Sequence, residues 1–266
     1  MKNILIITSN KNLKTKYYKW ITSYIKKKGI IFDVLNIENT SNIKKYIKKD
    51  TLLISIGGDG TALKCMKIAW KYNLLFLPLG YGRVGYLVNT QKEFSAIFNK
   101  WLKNEYNFTK RKAILQNNNN NFPAFNEVVI IKNSPTRLLD LVLDTYEQKV
   151  NLRADGIIIS TSLGSTAYNY SAGGPIVQTS LETMIITPIS PFTKFPRSIV
   201  VDNGSELNIK IPKEQHYSIQ FDGVEEYLSD TKTDETYNYK LSSQNLEVLA
   251  ELDIPKLDLF LNQILR

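Results

Sequence analysis

Thr51-Leu52-Leu53-Ile54-Ser55-Ile56-Gly57-Gly58-Asp59-Gly60-Thr61-Ala62-Leu63-Lys64 is the stretch from which the fold can be read. The apolar run at 52–56, closed by a glycine pair, predicts a buried strand, and Thr61 can cap a helix over 61–71. Outward from it, residues 4–8 predict a first strand. Leu13, Tyr17, Trp20, Ile21, Tyr24 and Ile25 then recur at helical spacing until Gly29. Residues 30–35 predict a second strand, and Ile43, Tyr46 and Ile47 a short helix. Beyond the quoted stretch come a strand at 74–79 and an amphipathic helix at 91–102. This alternation predicts an α/β, Rossmann-like N-terminal domain over 1–106, with a parallel sheet covered by helices on both faces.

The texture changes after Asn107. Short alternating or β-branched segments follow at 109–115, 127–132, 138–143, 148–152, 157–160, 199–201, 207–211 and 218–221. They predict a second, mostly β domain over 107–250. The polar run 117–121 reads as a hairpin tip. Pro255 followed by Leu257, Leu259, Phe260, Leu261, Ile264 and Leu265 predicts a C-terminal helix over 251–266 that packs back onto the N-terminal domain.

Composition narrows the chemistry. The 266 residues, 43% of them apolar, can build one large or two modest cores. No apolar run approaches the ~18 residues of a spanning helix, and Met1 leads straight into a strand, so a cytoplasmic protein without a membrane role is expected. Cys65 and His216 are single copies of their types, which excludes disulfide frameworks, Cys/His zinc sites and most histidine-based triads. Acid–base work must rest mainly on carboxylates. The net charge of +9 comes entirely from residues 1–50, where 12 lysines face Asp33, Glu38 and Asp50. Arginine, the bidentate reader of phosphates and bases, supplies only 6 of 34 cations. Solvated lysine-rich helix faces explain this better than nucleic-acid binding.

Three features carry candidate chemistry. In Gly57-Gly58-Asp59-Gly60-Thr61, glycines admit a ligand close to the backbone, and free N–H groups at the helix start attract phosphate oxygens. A carboxylate there would repel phosphate unless it bound a metal or took a proton from a hydroxyl, so Asp59 is a candidate general base, with a plain turn acceptor as the alternative. Gly80-Tyr81-Gly82-Arg83-Val84-Gly85 matches G-x-G-x-x-G by letter, but it comes late in the sheet and lacks the acidic residue ~20 positions on. It reads as a structural or substrate-flanking loop. Finally, residues 153–177 place Arg153, Asp155 and Tyr168 in a segment dense in Ser, Thr and Gly, where an aromatic ring could stack on a flat ligand. Arg153 stands close enough in sequence to hold Asp155 or a phosphate.

Taken in order, these segments resemble the NAD kinase family. The resemblance is carried by GGDGT at 57–61, Asn126-Glu127-Val128-Val129, Asp155-Gly156, Gly164-Ser165-Thr166-Ala167-Tyr168, Ser171-Ala172-Gly173-Gly174-Pro175 and Thr187-Pro188-Ile189-Ser190-Pro191, and it runs to Phe221-Asp222-Gly223. GGDGT alone is shared with lipid and sphingoid-base kinases. The resemblance implies an ATP-dependent phosphotransferase acting on the 2′-hydroxyl of the adenosine ribose of NAD, with Mg²⁺ arriving on ATP and no protein-made metal cage. It implies that Asp59 takes the hydroxyl proton and that Gly60 lies against the nucleotide. Lys64 would neutralise phosphate, unless it is one more solvated helix lysine. Asn126 and Glu127 would bind the adenosine and ribose portions, and Arg153 and Asp155 would meet the nicotinamide end. Thr166, Ala167, Tyr168, Asn169, Tyr170 and Ser171 would wall the base, with core packing the alternative for Tyr170. A homodimer or homotetramer is implied too. Ser162-Leu163, Gly80-Tyr81-Gly82 and Phe192 depart from the common family pattern. A lipid kinase and a non-catalytic dinucleotide-binding regulator are the competing functions; the intact Asp59 speaks against the regulator.

Overall fold

The computed structural model of the chain describes residues 2–80, 85–117, 119–144, 149–230 and 232–250. The chain begins with β1 (Asn3–Thr8), α1 (Asn10–Leu13), α2 (Lys16–Lys27), β2 (Phe32–Asn36), β3 (Thr51–Ile56), α3 (Asp59–Lys71), β4 (Leu75–Leu79), α4 (Gln91–Lys103) and β5 (Asn107–Arg111). It continues through β6 (Ile114–Gln116), β7 (Asn119–Ala124), β8 (Glu127–Lys132), β9 (Leu139–Asp144), β10 (Lys149–Ala154) and β11 (Gly156–Thr161) to α5 (Tyr168–Ser171). It ends with β12 (Thr183–Ile189), β13 (Ile199–Asp202), β14 (Glu206–Ile211), β15 (His216–Phe221), β16 (Val224–Asp230), β17 (Glu235–Leu241) and β18 (Leu246–Ala250). Single 3-10 turns occupy Ile43–Tyr46 and Leu163–Thr166.

The first unit is built on the sheet β2-β1-β3-β4-β18-β5, parallel from β2 through β18 and antiparallel only at β5. Strand alternation divides its side chains. Ile4, Ile6, Leu52, Ile54, Ile56, Leu77 and Leu79 pack on one face against Tyr17, Ile21 and Ile25 of α2 and Phe94, Ile97, Phe98 and Trp101 of α4. Leu5, Leu53 and Phe76 are equally buried and point the other way, the side on which α3 sets Ala62, Cys65, Met66 and Ala69 inward. β1, β3 and β4 are thus buried on both faces, which is why 52–56 reads as an unbroken hydrophobic run. Caps fix the helix ends. Thr15 accepts from the Tyr18 amide at the start of α2, and Thr90 with Glu93 forms a capping box on α4.

The second unit is a sandwich of two antiparallel six-stranded sheets, β10-β9-β14-β17-β6-β7 and β13-β12-β11-β8-β15-β16. Their inner faces close over Leu139, Leu141, Leu143, Ile209 and Tyr239 from one sheet and Val128, Ile130, Ile157, Ile159, Ile186 and Phe221 from the other. Tyr217 and Tyr237 place two hydroxyls in this apolar interior, 2.8 Å apart and bonded to each other. The polar run 117–121 follows β6, and Gln116 pairs across the hairpin with Asn119.

The domain limits differ from the sequence expectation of 1–106 and 107–250. Residues up to Arg111, together with β18, form one compact unit, and Lys112–Gln244 form the other. β18 pairs with the β4 side of the parallel sheet, and β5 then pairs with β18. Alternation identifies a strand but not the sheet it joins. The helix expected over 251–266 lies outside the described residues. Among the described residues no helix is long and apolar enough to cross a membrane.

Ile54 is fully buried in the middle of β3. Ile54→Ala is expected to lower unfolding stability by ~2–5 kcal/mol, the range for truncating a core aliphatic. Urea titration followed by tryptophan fluorescence measures this.

Candidate functional site

In the first unit, the carboxyl end of β3 is held before the glycine turn begins. The Ile56 carbonyl accepts from the Thr8 hydroxyl at 2.6 Å and from the Asn12 side-chain amide at 3.0 Å. The Gly57 amide donates to the Leu79 carbonyl of β4. The helix then starts earlier than expected: Gly58, not Thr61, is the N-cap, and Asp59 stands in the first turn of α3. Thr61 is folded over Gly57 so closely that a Cβ on Gly57 would strike its side chain. A glycine N-cap loses only a few tenths of a kcal/mol against a polar one, which permits the early start. Gly58 and Gly60 have open space where a side chain would stand. The amides of Asp59 and Gly60, which helix geometry leaves without intrahelical acceptors, are therefore approachable.

The Asp59 carboxylate is anchored from outside its own turn. It accepts from the backbone amides of Tyr86 at 2.8 Å and Leu87 at 2.9 Å, one on each oxygen. Those amides are brought there by a loop whose base Asn89 ties down. Gly80 donates to the Asn89 carbonyl, and the Asn89 side chain donates to Pro78 and Leu249 carbonyls. Gly85 has no room for a Cβ because Asp59 and Val88 already fill that space. The loop that begins at Gly80 thus supports Asp59 as a structural flank; residues 81–84 lie outside the described residues. Burial, and then the charge of Asp59, raise the Tyr86 phenol above its ordinary range. Neither the Tyr86 nor the Leu87 amide was singled out from sequence, since a main-chain donor leaves no residue-type signal. Lys64 is exposed on α3. At 100° per residue it stands about 140° around the helix from Asp59.

In the second unit, Asn126 and Glu127 lie where β8 begins, and their peptides are clasped on all sides. The Asn126 carbonyl accepts from the Thr161 amide at 2.9 Å and the Ser160 hydroxyl at 3.2 Å. The Thr161 hydroxyl donates to the Phe125 carbonyl at 2.6 Å and accepts from the Gly164 amide at 3.0 Å. Gly164 lies directly on the Asn126 peptide, with no space for a side chain. From the other side, the Asp222 carboxylate accepts from the amides of Phe125, Asn126 and Glu127 at 3.0, 2.7 and 3.3 Å. Asp222 was not among the expected site residues. Its readable signal was the Asp-Gly pair of a two-residue hairpin.

Glu127 is 7% exposed, and its Oε2 is buried without a hydrogen-bond partner among the described residues. Burial first, and then the Asp222 charge, push its carboxyl up to about 8, against the opposing effect of a hydrogen bond from the Tyr168 amide. A buried carboxyl oxygen left without a partner is costly unless a ligand completes it. The geometry joins Asn126, Glu127 and the start of the Tyr168 helix into one polar corner.

The remaining expected residues separate. Tyr168, Tyr170 and Ser171 are exposed, so core packing is not the role of Tyr170. Thr166 and Ala167 are half-buried. Asn169 is corrected: it is fully buried, and its side chain is consumed internally. Its amide donates to the Ser165 and Pro175 carbonyls, and its oxygen accepts from the Thr187 hydroxyl at 2.7 Å. It braces the loop and presents no free edge to a base. Arg153 does not hold Asp155. Arg153 faces Asp140 across the β9–β10 ladder at 3.5 Å, whereas Asp155 pairs with Lys132 at 2.5 Å. The chain passes from one sheet to the other at Asp155, which sends neighbours in sequence to different partners.

Comparison with known proteins identifies the family. The model of the ATP-NAD kinase C-terminal domain matches residues 125–249. The NAD kinase of Caldicellulosiruptor bescii is 32% identical over 251 residues, a span covering 92% of this chain and 92% of that protein. The bifunctional NADP phosphatase/NAD kinase of Methanocaldococcus jannaschii is 36% identical over 219 residues, covering 78% of this chain but only 38% of its own length. Among solved structures, an NAD kinase from Archaeoglobus fulgidus in complex with ATP superposes with a TM-score of 0.77 at 21% identity, covering 98% of each chain, and so shares the fold. A relative aligned over nine-tenths of both sequences at this identity settles the family, and the chain belongs to the NAD kinases.

Proposed function

We propose that the chain transfers the terminal phosphoryl group of ATP to the 2′-hydroxyl of the adenosine ribose of NAD, giving NADP and ADP. The observation that carries this is the placement of Asp59. Its carboxylate is fixed by two main-chain amides beside Gly58 and Gly60, which have open space where a side chain would stand, in a chain of this family. A carboxylate has about four lone-pair positions, so two amide bonds leave acceptor capacity for a substrate hydroxyl. Asp59 takes the hydroxyl proton as the ribose oxygen bonds to the phosphorus. The bond from phosphorus to the bridging oxygen breaks, and its electron pair leaves with ADP. Phosphoryl transfer asks for positioning and charge neutralisation more than for covalent help.

Mg²⁺ is proposed as the companion of ATP, supplying electrostatic stabilisation to the transferring phosphate. No three acidic, histidine or cysteine side chains converge among the described residues. A hard cation that arrives on ATP has its shell completed by phosphate oxygens and water. Asn126 and Glu127 are proposed to bind the adenosine and ribose portions of NAD, with the buried Glu127 oxygen meeting a sugar hydroxyl. Tyr168 and Tyr170 offer exposed rings to a base, and Arg153 and Asp155 are assigned to the nicotinamide end. Self-association as a homodimer or homotetramer is carried over from the family resemblance, and a cytoplasmic setting from the sequence expectation. Light scattering separates the two assembly states.

The test is to mix the purified chain with Mg-ATP and NAD and to follow NADP through an NADP-specific dehydrogenase. Sphingosine and diacylglycerol serve as controls for the lipid-kinase alternative, and phosphorylation of either lipid in place of NAD would overturn the assignment. Asp59→Asn is expected to lower kcat by ~10²- to 10⁴-fold, the usual contribution of a general base, while calorimetry still detects NAD binding. Unchanged turnover would remove Asp59 from the chemistry.

Glu127 gives a pH prediction. Its carboxyl titrates near 4.5 when unfolded and near 8 in the folded chain, so the folded state holds the extra proton between those values. Its contribution to stability is therefore complete below about 4.5 and is lost as pH rises through about 8. Thermal melts across this range are expected to show a declining Tm in the parent chain and a shallower decline in Glu127→Gln. Parallel curves would contradict the buried, strained carboxyl.

A further inference from the structure

We propose that Asp222 is a positioning residue of the dinucleotide site, whose carboxylate gathers the amides of Phe125, Asn126 and Glu127 and thereby sets where the Asn126 and Glu127 side chains stand. The proposal rests on the NAD kinase reading and adds a residue that touches no substrate.

The hairpin joining β15 to β16 supplies the geometry. Phe221 pairs with Val224, leaving Asp222 and Gly223 as a two-residue turn with φ of 54° and 75°. Two successive left-handed residues define the tight turn that Asp-Gly favours. The turn returns to β8 through its own backbone, where the Asp222 amide donates to the Glu127 carbonyl at 3.0 Å. The side chain then reaches over the end of that strand. Phe125 and Asn126 precede β8, where no ladder supplies acceptors for their amides. Three consecutive N–H groups converging on one point form an anion-binding concavity, and here the chain provides the anion itself. Phe125 is fully buried and Glu127 nearly so, which keeps water from replacing the carboxylate.

A turn brace alone would need no charge, because a neutral acceptor could take the same amides. The charge acts on Glu127. The groups facing the Glu127 side chain are Asp222 from the β15–β16 turn and the Tyr168 amide from α5, with Ser160 of β11 as its ladder neighbour. Asp222 is the ionisable member of that set, and its negative charge favours the protonated form of Glu127. One side chain therefore holds the turn in position and, after burial, raises the pH at which the Glu127 carboxyl changes state.

Asp222→Asn keeps a residue suited to left-handed turns and removes the charge. Asp222→Gly keeps the turn and removes the side chain altogether. Wild-type turnover of NAD is measured first: failure there sinks the functional reading, while normal turnover leaves the present proposal to the variants. Asp222→Gly is expected to raise KM for NAD about 10-fold or more, the effect of unpairing buried amides, and Asp222→Asn, whose single carbonyl oxygen leaves only the Phe125 amide unpaired, to raise it less, each with a smaller change in kcat. In Asp222→Asn the pH midpoint of NAD affinity is expected to move to lower pH than in the parent. In a Glu127→Gln background the same substitution is expected to move no midpoint. Folded variants with parental KM and an unshifted profile would overturn the proposal. So would loss of folding in both, which would make Asp222 a structural brace.

Discussion

Strands end, and their last amides and carbonyls must still find partners in a place where the ladder has stopped. In this chain that requirement is met by side chains bonding to the main chain, and in each unit the candidate residues are held by the result. Thr8 and Asn12 take up the final carbonyl of β3; Thr161, Ser160 and Asp222 close around the entry to β8. Asp59 reverses the direction, a side chain held by two loop amides. Such bonds constrain both position and orientation, so the groups they hold need little reorganisation when a ligand arrives.

Two kinds of restraint alternate along the residues 160–175. Close contacts leave no room for a Cβ at Gly164 or Gly174, while the buried Asn169 amide ties the Ser165 and Pro175 carbonyls and the Thr187 hydroxyl together. The exposed rings of Tyr168 and Tyr170 therefore project from a segment whose buried Thr161, Ser165 and Asn169 side chains are bonded internally.

Much of this was legible from sequence. The strand, glycine turn and helix at 51–71, the helical spacing of Tyr17, Ile21 and Ile25, and the two-domain α/β plus β organisation all follow from periodicity and turn chemistry, and the structure has them. Local rules failed where tertiary pairing decides. β5 and β18 carry ordinary strand patterns, and nothing in those patterns states that they extend the parallel sheet. Arg153 and Asp155 stand two residues apart, yet the crossing between sheets gives each a different counter-ion. Asn169 lies in a run of loop-like polar residues, and the family resemblance implies a ligand contact for it. Its role as an internal strut depends on Thr187, 18 positions away. The Asp222 clamp was hidden for the same reason, its amide partners lying more than 90 positions upstream.

Cys65 has a practical consequence. It is the single cysteine of the chain, it sits fully buried on the inner face of α3, and burial pushes its thiol well above the ordinary range. A thiol without access to solvent and without thiolate character reacts slowly with maleimides and oxidants. The natural sequence is thus already suited to site-selective conjugation, since one engineered surface cysteine would carry a fluorophore or spin label with the native thiol remaining a silent background.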